Sequence, residues 1–161
     1  MDQTPLANLE PPRFIKGKPM LLTGLSERYT AETSARIPAQ WQRFLEHFDH
    51  VPGQIGRVAY GVLYNEDDEG NVDYLTGVEV PDFSRVPPDF AKLRIPEQRY
   101  VVFEHPGHIS NIRRTWHTIW TSWIPKSGHE PVDGPRFERY GEKFDGQKGE
   151  GDIEIWIPIR R

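Results

Sequence analysis

Two stretches of sequence, IPAQWQRFLEHF (37–48) and IRRTWHTIWTSW (112–123), decide the fold when set side by side. The first carries apolar residues at Ile37, Trp41, Phe44, Leu45 and Phe48, the second at Ile112, Trp116, Ile119, Trp120 and Trp123. The steps are 4, 3, 1 and 3 in both, which places each set on one face of an α-helix. Every member of the second set lies 75 positions after its counterpart in the first. One amphipathic stripe would mean little. Two in equal register point to a duplicated unit.

The flanking segments repeat the same order. A strand candidate, Phe14 to Thr30, is broken by Gly17, Pro19 and Gly24; Pro38 then suits the first helical position, and Pro52-Gly53 stops the segment. Two β-rich stretches follow, RVAYGVLYNED (57–67) and VDYLTGVEV (72–80), joined by the turn residues DEGN. In the second half YVVFEH (100–105) reads as a strand, Pro106-Gly107 turns the chain, and Ser110 is placed to cap the next helix. RFERYGEKF (136–144), the glycine-rich GQKGEG and DIEIWIPI (152–159) complete it. The expected architecture is α+β: tandem duplicated βαββ modules related by a pseudo-twofold axis, with helices on one face of antiparallel strands and a ligand cleft between the modules. The half-modules span about 13–83 and 100–161 of one domain (13–161), the proline-punctuated 84–99 connects them, and 1–12 reads as a loose arm.

Composition narrows the function classes. A chain of 161 residues predicts a single domain. Twenty basic against 24 acidic side chains give a net charge of −4, which argues against direct DNA binding. The absence of cysteine excludes disulfides, thiolate nucleophiles and Cys-ligated metals. No apolar run approaches the roughly 20 residues of a membrane span, and MDQTPLANLEPP lacks the features of a secretory signal, so a cytoplasmic protein is expected. His47/His50 and His105/His108 form two H-x-x-H pairs without the H-E-x-x-H spacing of zinc hydrolases; they read as surface histidines, and no metal or cofactor is expected.

Strand alternation sorts the candidate site. In DIEIWIPI, Ile153, Ile155, Ile157 and Ile159 share the buried face and leave Glu154 and Trp156 on the other. If Phe137 marks the core side of RFERY, then Glu138 and Tyr140 point away from the helices and join Glu154 and Trp156 on one surface. Tyr60 and Tyr64 on one strand and Tyr74 on the next are the first-half counterparts. The stripe tryptophans read as core, with contact to a ligand the alternative for Trp116 and Trp120. A carboxylate among aromatic faces suits a flat organic cation through cation–π attraction and a charge-assisted contact. Solvation of Glu138, or pairing with Arg136 or Arg139, is the competing reading.

The stretch from RYVVFEHPGHISNIRRTW through PVDGPRFERYGE, with the closing EIWIPI and the first-half YGVLYNEDDEGNVDYLTGVEV, resembles the GyrI-like small-molecule-binding domain. That is the effector-binding domain of AraC- and MerR-type bacterial multidrug transcription regulators. The resemblance covers roughly residues 13–161 and implies two fused βαββ modules around a ligand cleft. It places the family's acidic residue on Glu138 and aromatic walls on Tyr60, Tyr74, Trp116, Tyr140 and Trp156. The regulators carry a helix-turn-helix domain for which this chain has no room, so a stand-alone form is expected, with a regulator or DNA gyrase as a conceivable protein partner. Some stand-alone members are similar to hydrolases of cyclopropane-bearing genotoxins. Glu138 with Tyr140 or Tyr60 would then supply acid/base chemistry.

Overall fold

The computed structural model describes residues 9–160, so positions 1–8 of the expected arm lie outside the described residues. The chain forms β1 (Arg13–Gly17), β2 (Met20–Tyr29), α1 (Ile37–Leu45), β3 (Ala59–Tyr64), β4 (Val72–Val80), β5 (Ala91–Ile95), β6 (Gln98–Glu104), α2 (Ile112–Thr118), α3 (Ile124–Ser127), β7 (Arg136–Tyr140) and β8 (Ile153–Pro158). All eight strands belong to one antiparallel sheet in the order β1-β6-β8-β7-β3-β4-β2-β5. The fold class is α+β.

Local chemistry explains where the elements differ from expectation. Lys18-Pro19 splits the first strand candidate, so β1 pairs with β6 while β2 pairs with β4 and β5. The connector 84–99 contains β5, which Pro88 and Pro96 bracket without entering. Ser110 is not the cap of α2. A single 3₁₀ turn (Ile109–Asn111) precedes the helix, and the His108 ring accepts from the Ser110 amide at 3.0 Å. Beyond Thr118 the helix widens into one π turn (Ile119–Trp123) before α3. Within that turn Trp120 stays 37% exposed, while Trp123 packs edge-on against Phe103 at 5.0 Å.

Register reveals two buried sheet faces. Residues paired across neighbouring strands share a face, and Glu138 pairs with Ile155 and Gly61, whereas Phe137 pairs with Trp156 and Val62. On the Glu138 face, Ile119 packs with Val101, Phe103, Ile155 and Ile157, while Trp41 and Ile112 pack with Ala59, Tyr140 and Ile153. The opposite face buries Leu22, Tyr60, Val62, Leu75, Tyr100 and Phe137 in a core of its own. The edge strands contribute Ile15 from β1 and Leu93 from β5 to that core, so the curled sheet covers itself. This corrects the strand-parity expectation: Phe137 faces away from the helices, and Glu138 and Tyr140 face toward them.

Candidate functional site

Glu138 sits near the middle of the sheet, on β7 beside β3, and is only 7% exposed. Gly61 is its cross-strand partner. A Cβ built at Gly61 would stand 2.2 Å from the Tyr74 hydroxyl and 3.0 Å from the Trp41 ring, so glycine alone leaves the space that the phenol fills. Tyr74, from β4, donates to Glu138 Oε1 at 3.2 Å, and Tyr140 donates to the same oxygen at 2.8 Å. From α2, Trp116 Nε1 donates to Oε2 at 2.7 Å. From α1, Trp41 Nε1 donates to the Tyr74 hydroxyl at 2.9 Å.

Three neutral donors therefore hold a buried carboxylate, and no ion pair among the described residues includes it. Burial raises the Glu138 carboxyl above its ordinary value of 4.5, and the bonds from Trp116, Tyr140 and Tyr74 counteract that rise. Burial, reinforced by the neighbouring carboxylate, pushes the hydroxyls of Tyr74 and Tyr140 well above theirs, so both remain donors at neutral pH. Glu154 makes the contrast. It is 8% exposed on the opposite face and satisfied by Arg13, by Arg139 at 3.6 Å and by Trp156 Nε1 at 3.1 Å. One buried carboxylate is neutralised by arginines; the other has none.

A cleft of about 650 Å³ opens above Glu138 between the start of α1 and the face of α2. Its size lies in the usual range for small-molecule sites, ~300–1,000 Å³. Tyr74, Trp116, Tyr140 and Glu138 line it, and Trp120 stands at its rim. An adjoining apolar recess of about 300 Å³ shares Trp41 and Tyr140 and adds Leu45, Phe48 and Phe144. Two expected site residues lie elsewhere. Tyr60 packs edge-on against Phe137 at 5.6 Å and Trp156 stacks on Phe137 at 5.3 Å, both on the far side of the sheet. Sequence reasoning missed Trp41 and Gly61; the 75-residue offset from Trp116 is the signal that could have found Trp41.

Histidine takes no part in the cleft. His47, His50 and His108 are exposed, but His105 is buried, bonded through Nδ1 to Thr115 and through Nε2 to the His108 carbonyl oxygen, each at 2.8 Å. That corrects its reading as a surface residue. No group of three or more His, Asp or Glu among the described residues could hold a metal ion, and no described helix is long and apolar enough to cross a membrane.

The model of the GyrI-like small-molecule-binding domain matches residues 10–160. The chain belongs to the GyrI-like family. This GyrI-like chain is 29% identical over 121 residues to the transcriptional regulator BrlR of Pseudomonas aeruginosa, a match covering 74% of the chain and 44% of the regulator. It thus spans less than half of that relative. Among solved structures, SAV2435 bound to tetraphenylphosphonium superimposes with a TM-score of 0.77 at 17% identity, covering 94% of each chain. A hydrolase from Listeria innocua has the same fold at a TM-score of 0.56 and 10% identity, covering 96% of this chain and 94% of its own.

Proposed function

We propose that this GyrI-like chain binds aromatic, lipophilic cations in the cleft above Glu138, as the sensing or sequestering part of a drug-response system. The observation that carries this reading is the buried carboxylate held by three neutral donors and no cation. Such a charge lacks an opposite charge in the free protein, and a desolvated cation would supply it. Trp116, Tyr74 and Tyr140 offer ring faces around the anchor and Trp120 offers one at the rim. None of these contacts prescribes one molecular outline, which suits several ligands of one chemical class. The ligand of SAV2435, a tetraphenyl cation, is of that class.

The strand order supports the duplicated βαββ reading. From either edge inward it runs outer strand, first strand of a module, last strand, middle strand, so that β3 and β7 meet at the seam. The cleft then lies between modules, with Trp41 from one and Trp116 from the other. The regulator likeness supports a role coupled to transcription through a DNA-binding partner, in a cytoplasmic setting.

Fluorescence titration with tetraphenylphosphonium and tetraphenylborate, ions of equal shape and opposite charge, tests the reading. The phosphonium should quench tryptophan emission, the borate should not, and Glu138→Gln should weaken the phosphonium at least about tenfold. Equal binding of both ions by the unaltered chain would refute it.

A second reading rests on the raised Glu138 carboxyl: a buried acid that keeps its proton to higher pH than an ordinary glutamate suits acid catalysis of hydrolysis. The fold likeness to the Listeria innocua hydrolase is consistent with it. Multiple turnovers of a cyclopropane-bearing alkylator, lost in Glu138→Gln, would establish this reading, and stoichiometric capture without product would exclude it.

A further inference from the structure

The cleft that holds Glu138 is also lined by two arginines, Arg113 and Arg136. Arg136 lies two residues before Glu138 on β7, so the side chains share a face roughly 6–7 Å apart along the strand. Its guanidinium is committed, pairing with Glu66 and lying 5.9 Å from the centre of the Trp120 ring. Arg113 is not committed. It is exposed on α2, one helical turn before Trp116, and no hydrogen bond or ion pair engages it among the described residues. The cleft therefore has a negative floor and a positive rim.

A plain cation would feel repulsion at that rim before reaching the floor. A molecule that also carries an anionic group at its outer end would convert the repulsion into a charge-assisted contact, and a guanidinium matches a carboxylate in shape as well as charge. We infer that the preferred ligands are aromatic zwitterions, with the cationic end against Glu138 and a carboxylate at the outer end against Arg113. This rests on the proposed role of Glu138 and narrows it to one ligand class.

Two probes with a common skeleton separate the ideas: 6-(aminomethyl)naphthalene-2-carboxylic acid, a zwitterion, and its methyl ester, a cation only. Calorimetric titration of the full chain should show the acid binding about 3- to 10-fold more tightly than the ester. Arg113→Gln, at an exposed position that should not disturb folding, should weaken the acid and strengthen the ester, erasing or inverting the preference. An ester that binds as tightly as the acid would overturn the inference, as would a preference that survives Arg113→Gln. If instead neither probe binds, or Glu138→Gln leaves both affinities unchanged, the cation site at Glu138 is itself wrong.

Discussion

Trp41 and Trp116 stand 75 residues apart and turn their indole N–H groups into one hydrogen-bond network: Trp41 donates to the Tyr74 hydroxyl at 2.9 Å and Trp116 to Glu138 Oε2 at 2.7 Å. The two helices are thus tied to the same buried carboxylate, one directly and one through a phenol. Each tryptophan contributes a donor as well as a ring, and the donor can be removed alone.

Trp116→Phe keeps an aromatic ring and deletes the N–H. The ionised carboxylate loses its shortest bond, so its midpoint should move further upward. Stability should fall by about 1.5–3 kcal/mol where Glu138 is charged, and by less in acid. Urea denaturation below pH 4.5, where the raised carboxyl holds its proton, and at alkaline pH measures both effects; equal losses under the two conditions would show that the ring, not the donor, matters.

The pH dependence has a definite sign. Burial raises the Glu138 carboxyl above 4.5 in the folded chain, which therefore keeps a proton that the unfolded chain has released. The contribution of this group to stability is full below the unfolded value, declines as pH rises toward the folded value, and is flat beyond it. Thermal melts should show this decline reduced in Glu138→Gln. The amide can direct its oxygen to Trp116 and its NH2 to the tyrosine hydroxyls, which rotate to accept. Tetraphenylphosphonium affinity should rise across the same window, because the cation prefers the ionised form.

Gly61→Ala would push a methyl group into the Tyr74 hydroxyl, 2.2 Å from the ideal Cβ position. The phenol ring is rigid, so the whole side chain must shift, at a cost of about 1–3 kcal/mol. The expected result is a folded protein with cation binding weakened about tenfold or more, read by melting temperature and titration together. Undiminished binding would show that the Tyr74–Glu138 bond is dispensable.

Gln40 is fully buried in α1 and ties the helix to the sheet. Its amide donates to the carbonyl oxygens of Leu25 at 3.0 Å and Tyr74 at 2.9 Å, and it accepts from Tyr29 at 2.6 Å. Gln40→Ala removes these bonds, together with one to the Thr76 hydroxyl at 3.3 Å, and leaves a cavity, so a loss of about 2–4 kcal/mol is expected by urea denaturation. A loss below about 1 kcal/mol would mean that the helix is held by its apolar residues alone.

The helices and the hairpins were legible in the sequence because period and turn chemistry are local signals. The side on which Glu138 lies was not. Alternation identifies a core face only when the other face meets water. Here Ile155 and Phe137 are both buried, on opposite sides of a sheet that curls over itself, so Phe137 carried no information about the helices. For the same reason Tyr60 and Trp156, aromatic and well placed in the motifs, pack into the second core. The stripe at 37–48 showed that Trp41 faces inward, but an apolar pattern does not register an N–H. The strand β5 escaped notice because its five residues are hemmed by prolines.

The missing counter-charge beside Glu138 has a consequence for the life of the protein. A bound cation would be the last-fitted piece of its interior, favouring the folded chain over the unfolded one in proportion to occupancy. Cells exposed to such a compound should then accumulate more of this protein at unchanged synthesis, because proteases meet fewer opened copies.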